Sequence, residues 1–316
     1  MHPTLRVRRL RKTFVLHTID GRTVQSLHGV DLDVAAGEHV ALVGPSGAGK
    51  SSLLRCVYRT YLPDSGSVVL HIDSDPIELT TLPDRTLARL RGRQIGYVAQ
   101  FLTAPPRTSA LAVVAAAARR RGVPADQARD AAATALRALG LDEVLWDVDC
   151  GVLSGGERQR INLAAATVAP PRLLLLDEPV SALDPANRDL ALDLIADLTN
   201  RGVAVLSVFH DMAAVRRLAT RALRMADGRV VAQGPGASAE SLGASSESVG
   251  TPPDSALAGG SDAQAEGDAV ARDPGASAAS PGGAVPQAPA GPAGERGPGS
   301  RAQVSGLDSQ TMEVAK

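Results

Sequence analysis

The chain has 316 residues, a formal net charge of −1 and only seven Phe, Tyr and Trp residues. A charge so near zero gives no chain-wide field for a polyanion, and two cysteines, Cys56 and Cys150, are too few for a disulfide framework and lack metal-ligand spacing. The longest apolar run, Leu111 to Ala118, ends in Arg119-Arg120-Arg121 and is too short to cross a bilayer. Met1-His2-Pro3 opens no apolar signal region. A cytoplasmic protein with reduced thiols is expected, with no membrane span of its own.

In chain order, Leu27–Val34 alternates apolar and polar residues, which predicts a half-buried strand closed by a turn at Ala36-Gly37. His39–Val43 reads as a short buried strand, and a helix is expected over Lys50–Tyr58 after a glycine-rich loop. Gly66–Ile72 and Gln94–Ala99 read as strands. Ala110–Arg121 and Ala125–Gly140 read as alanine-rich helices. Ser154 is placed to cap another helix. Arg172–Leu176 and Val203–Phe209 are further apolar strands, ending at Asp177 and before His210. This alternation predicts an α/β fold with a mainly parallel sheet covered on both faces, and 101–170 a smaller helical subdomain inserted between strands. Beyond about Gly234 the chain is Ala, Gly, Pro and Ser, with no aromatic residue. Such a segment cannot bury enough apolar area to offset its chain entropy, so 1–236 is expected to fold and 237–316 to be a disordered tail. That tail holds ten acidic and four basic residues, net −6, leaving the rest at about +5.

Gly44-Pro45-Ser46-Gly47-Ala48-Gly49-Lys50-Ser51 fits the phosphate-binding loop in full, and Ser52 follows it. It sits between a predicted strand and a predicted helix. Glycines let the backbone wrap the phosphates, Lys50 would reach the β- and γ-phosphates, and the Ser51 hydroxyl would hold Mg²⁺. Leu173-Leu174-Leu175-Leu176-Asp177-Glu178 delivers two acids at a strand end. Asp177 is the candidate Mg²⁺ ligand and Glu178 the candidate general base. Alone, such a pair is more often solvated; downstream of a complete phosphate loop it reads as functional. Ser154-Gly155-Gly156, inside Leu153–Arg160, puts a hydroxyl and bare amides at a helix N-terminus, an anion site in its own right.

These elements in this order resemble ATP-binding cassette (ABC) ATPases. The resemblance implies an antiparallel β subdomain beside the core, with MgATP held between two subunits: Ser154, Gly155 and Gly156 would cap the nucleotide on a partner's loop. It also implies that Gln100 touches Mg²⁺ and the attacking water, that His210 contacts the γ-phosphate, that Phe14 stacks on adenine, and that Ser181-Ala182-Leu183-Asp184 communicates across the dimer. Taken singly, Gln100 is an ordinary strand end, a lone histidine is more often structural, and Phe14 could equally be a core residue.

A narrower resemblance rests on Lys12–His17, Leu53–Asp64, Gln100–Leu102, Pro106–Leu111 and Phe209–Asp211, the stretches around His17, Tyr58–Tyr61 and Phe101 being the distinguishing ones. Over residues 4–230 these are similar to the L-subunit (PhnL) family of the bacterial phosphonate carbon–phosphorus lyase system. It implies ATP hydrolysis alongside the lyase core subunits, in forming α-D-ribose 1-methylphosphonate 5-triphosphate from MgATP and methylphosphonate. The rival reading is an exporter ATPase of the lipoprotein-release or macrolide type, with Phe101–Pro106 as the docking surface in either case. The basic groups Arg6, Arg8, Arg9, Arg11 and Lys12, and Arg119–Arg121, have no interleaved aromatics, so no nucleic acid is expected; a solvated face or an acidic partner is.

Overall fold

The computed structural model describes residues 2–16, 22–73, 75–100 and 106–236. The tail, His17 and Phe101–Pro105 lie outside that set. A first sheet carries the antiparallel strands β1 (Leu5–Leu16), β2 (Arg22–Val34), β4 (Ser65–Ile72) and β5 (Asp75–Glu78), in the order β2-β1-β4-β5. A second sheet carries β3 (His39–Val43), β6 (Ile95–Val98), β7 (Leu173–Asp177), β8 (Ala204–Val208), β9 (Arg221–Ala226) and β10 (Arg229–Pro235). Its order is β10-β9-β3-β8-β7-β6, parallel throughout except for the β9–β10 hairpin.

Every residue of β3, β7 and β8 is buried, as a parallel sheet covered on both faces requires. Alternate side chains go to different cores. Leu174, Leu176, Ala41, Val43 and Val205 pack on one face with the helices α3 (Ala110–Arg120), α4 (Ala128–Ala138), α5 (Gly155–Thr167), α6 (Pro185–Asn200) and α7 (Met212–Leu218). Leu173, Leu175, Val40, Leu42 and Leu206 face the other way, onto α1 (Lys50–Val57) and the antiparallel sheet. α2 (Asp84–Gln94) leads into β6, and α3 to α5 lie between β6 and β7 in the chain.

The first basic cluster belongs to β1, which Leu5, Val7 and Leu10 anchor in the core. A register shift between Val7 and Leu10, with Arg9 at φ +48°, turns the alternation over by one residue. Three members of the cluster have partners within the chain. Arg6 and Arg8 pair with Asp33 and Lys12 with Asp64, so strand neighbours neutralise them. Arg121 likewise turns inward and donates to the Ala166 carbonyl at 2.8 Å. Cys56 and Cys150 are buried free thiols, and burial pushes Cys56 up to about 12. Among the described residues no helix is long and apolar enough to cross a membrane.

His39, the first residue of β3, is fully buried. Its Nε2 lies 2.7 Å from the Ser207 hydroxyl on β8, and its Nδ1 has no partner among the described residues. Burial lowers its pKa to about 3. Below the ordinary histidine value of about 6.5 the unfolded chain takes a proton that the folded chain refuses, so stability falls by about 1.4 kcal/mol per pH unit on acidification. His39→Gln keeps a hydrogen-bonding group and removes the titration. From about pH 7 to about pH 5 the parent should lose about 2 kcal/mol more than the variant. Equal losses in urea denaturation would exclude His39 as the responsible group.

Candidate functional site

The parallel register sets the C-terminal ends of β3, β8, β7 and β6 side by side, where open α/β sheets place ligands. β3 runs into the loop Gly44–Gly49. Gly44 has φ +135°, and a Cβ there would stand 2.1 Å from the Met225 carbonyl oxygen; Gly49 has φ +94°, with Ser26 O 2.5 Å from a Cβ. No L side chain fits either position. Lys50 is buried, and its ammonium donates to the Gly44 and Pro45 carbonyls, both at 2.7 Å. Burial lowers its pKa, against the opposing charges of Glu178 and Asp177.

Ser51 Oγ donates to Asp177 Oδ1 at 2.8 Å. Burial raises the Asp177 pKa, against that hydrogen bond and the guanidinium of Arg55, whose Nη2 lies 3.9 Å from Oδ2. Beside it Glu178 sits at φ +56°, a left-handed conformation that a non-glycine residue seldom adopts. Its backbone is held at both ends. Its N–H donates to Val208 O at 3.1 Å, while its carbonyl accepts from Ser181 Oγ at 3.2 Å and Gln159 Nε2 at 3.4 Å. The carboxylate lies 2.7 Å from His210 Nε2 on one side and 3.5 Å from Gln100 Nε2 on the other. Three strand ends thus meet on one acid.

A cavity of about 410 Å³ opens at this point, lined by Phe14, Ser46, Gly47, Gly49, Lys50, Ser51, Ser52, Glu178 and His210, and by Val24 and Ser26 of β2. Phe14 is half-buried, with Tyr61 edge-on at 5.1 Å and the Lys12 ammonium 5.3 Å from its centroid. The donor set fits a hard cation. Ser51 Oγ and an Asp177 oxygen are already within hydrogen-bond distance, and no cluster of three His, Cys, Asp or Glu occurs among the described residues. That suits Mg²⁺ held through few protein oxygens and substrate phosphates.

Four of the expected residues stand apart from this cavity. Ser154 caps α5, accepting from Glu157 N at 3.3 Å while Glu157 Oε2 accepts from Ser154 N at 2.8 Å. Gly155 and Gly156 form the first turn of that helix. Asp184 caps α6, accepting from Asn187 N at 3.1 Å and Asn187 Nδ2 at 2.6 Å, contacts that hold its carboxyl below the usual range. Ser154 to Gly156 and Asp184 are therefore not part of this chain's own phosphate pocket. Sequence reasoning missed Ser26, whose hydroxyl donates to Ser52 Oγ at 2.9 Å, and Arg55 and Gln159. Arg55 was findable: it lies four residues after Ser51, on the same helical face. Gln159 lies inside the Leu153–Arg160 stretch that the sequence singled out, without a role of its own there, and nothing in the sequence points to Ser26.

This fold and this strand-end site define a P-loop nucleotide-binding domain of the cassette type. The family model described as "ABC transporter" matches residues 27–181. The lipoprotein-releasing system ATP-binding protein LolD of Hyphomonas neptunium is 36% identical over 232 residues, covering 73% of this chain and 98% of that one. The phosphonates import ATP-binding protein PhnC of Bordetella parapertussis is 38% identical over 221 residues, 66% of this chain and 85% of that one. The dimeric, post-hydrolysis structure of the ATP-binding cassette MJ0796 bound to ADP and Pi is similar with a TM-score of 0.67 at 28% identity, covering 73% of this chain and 98% of that chain. The chain belongs to the ABC transporter ATP-binding family.

The packing at Gly44 carries its own prediction. Gly44→Ala should destabilise the protein by about 2 kcal/mol or more, because the methyl meets a backbone carbonyl at a φ unsuited to alanine. Urea denaturation reads this directly; a change under about 0.5 kcal/mol would contradict it.

Proposed function

We propose that this ABC ATP-binding subunit hydrolyses MgATP in a two-chain clamp. The observation carrying the reading is the Glu178 carboxylate, braced by His210 and Gln100 over a loop that ends in Lys50 and Ser51. Phe14 would stack on adenine. The loop Gly44–Gly49 would cradle the phosphates with its amides, and Lys50 would exchange its two carbonyl contacts for β- and γ-phosphate oxygens. Ser51 and Asp177, with Gln100, would hold Mg²⁺, which when bound supplies charge neutralisation at the β- and γ-phosphates. Glu178 would take the proton of the attacking water, with His210 and Gln100 orienting its two oxygens. Ser154, Gly155 and Gly156 would serve the nucleotide of a partner cassette, identical or paralogous, and Asp184 would lie near that seam.

Glu178→Gln should bind MgATP like the parent and hydrolyse it about 10² to 10⁴ times more slowly; unchanged turnover would remove Glu178 from the base role. Ser154→Arg should leave ATP binding intact and abolish turnover. Retained turnover would exclude the two-chain site.

For the partner, we infer the cytoplasmic core subunits of a phosphonate carbon–phosphorus lyase system. There this chain's hydrolysis would support formation of α-D-ribose 1-methylphosphonate 5-triphosphate from MgATP and methylphosphonate. What supports this is that several of the segments resembling that L-subunit family pack together beside the nucleotide cavity. Tyr61 meets Phe14, Arg55 donates to the Tyr61 hydroxyl at 3.0 Å, and Asp64 pairs with Lys12 and accepts from Thr13 N at 2.6 Å. The names of the similar proteins favour a second reading, a transporter ATPase coupled to a membrane permease. Affinity capture of the tagged chain from phosphonate-grown cells separates them: soluble lyase subunits carry the first, and a polytopic permease replaces it with the second.

A further inference from the structure

A second cavity, of about 540 Å³, lies where the two sheets meet, and it shares no lining residue with the nucleotide cavity. Arg9 and Arg11 of β1, His28 of β2, Ser65 of β4 and Arg229 of β10 line it, with Gly29 and Gly66. The guanidinium groups of Arg9, Arg11 and Arg229 have no hydrogen-bond or ion-pair partner among the described residues. Elsewhere the chain neutralises many of its arginines: Arg59 with Asp84, Arg137 with Glu143, Arg217 with both Asp189 and Asp193, and Arg221 with Glu38. Three carboxylates adjoin the cavity without lining it: Asp31, whose Oδ1 accepts the Arg9 backbone N–H at 2.9 Å; Asp64, next to Ser65 and paired with Lys12; and Asp227, two residues before Arg229.

The backbone is shaped to bring these charges together. Arg9 occupies the left-handed region at φ +48°, the bulge that displaces β1 by one residue. Gly66 packs against that bulge so closely that a Cβ would lie 2.6 Å from Arg9 O. Gly29, at φ +89°, lets the Arg11 guanidinium lie across it, 3.8 Å from where a Cβ would be. Clustered like charges that form no direct ion pair oppose folding, and a non-glycine residue at positive φ adds strain of about 1–3 kcal/mol.

The lining chooses the ligand class. It has no Phe, Tyr or Trp ring and no large aliphatic residue to receive a peptide side chain, only glycine, serine, histidine and arginine. Guanidinium forks match the oxygens of tetrahedral oxyanions, and three of them call for at least a dianion. We propose that this pocket binds a phosphorus oxyanion, inorganic phosphate or an organic phosphonate, at a site separate from the nucleotide. It does not depend on which partner the chain serves. The site adjoins the phosphate loop from behind: His28 N donates to Gly228 O at 2.9 Å, and Gly228 N donates to Ala48 O at 3.2 Å, so one residue separates the two anion sites.

The test is calorimetric titration of the full chain saturated with MgADP, using phosphate in one arm and methylphosphonate in the other. Arg11→Thr/Arg229→Thr replaces two exposed, unpaired side chains, and Arg9→Gly suits the left-handed backbone at that position. The parent should bind one anion per chain beyond the nucleotide. The double variant should bind it at least about tenfold more weakly, with MgADP affinity unchanged within about twofold. Whichever anion binds more tightly identifies the physiological source, and either outcome keeps the site. No saturable heat with either anion, or equal affinity in parent and variants, would overturn it, the latter because binding would then lie in the phosphate loop.

Discussion

A parallel sheet cannot leave a face in water, because each of its strands returns through a crossover that lays a helix or a second layer against it. In this chain that constraint produces Leu173 to Leu176, where consecutive leucines enter opposite cores. The rest depends on it. Strands buried on both faces are held in one register, so their ends coincide, and the loops leaving β3, β6, β7 and β8 are brought to one edge. Lys50, Gln100, Glu178 and His210 are distant in sequence and adjacent in space for that reason alone.

The same rigidity explains how Glu178 tolerates its backbone. A left-handed non-glycine residue persists only when its surroundings over-determine it. Here Val208 takes the amide, while Ser181 and Gln159 share the carbonyl. Gln159 comes from the helix that Ser154 begins, so the turn carrying the acid is tied to the element that would face a neighbouring chain. One side-chain amide thus joins α5 to the backbone of Glu178.

Much of this was legible in the sequence, and the exceptions have identifiable causes. β3, β7 and β8 stood out because short apolar runs ended at a glycine, an acid or a histidine. Ser154 as a cap was readable because a Glu follows three residues later, and the reciprocal hydrogen bonds are both present. β1 escaped because its bulge breaks the period of two and five basic residues mask its apolar face. α2 escaped because its apolar face is only Leu87 and Leu90, set among four arginines and a glycine. α6 could have been found from Asp184-Pro185, a cap followed by proline at the first helical position. The left-handed Glu178 and the Ser26–Ser52 contact were beyond reach, since both arise from tertiary packing.

Gly155 has a consequence of its own. A Cβ added there would meet nothing within 4 Å, so the chain's own packing does not ask for glycine at that position. Glycine costs a helix up to about 1 kcal/mol relative to alanine. What the exchange leaves is a patch of bare main chain at Gly155, beside the Ser154 hydroxyl and the Glu157 carboxylate. A surface without side chains carries almost no sequence identity. In the proposed clamp it would meet an identical loop and a merely related one on equal terms. Discrimination between self-pairing and pairing with a paralogous cassette would then fall to side chains elsewhere on the seam.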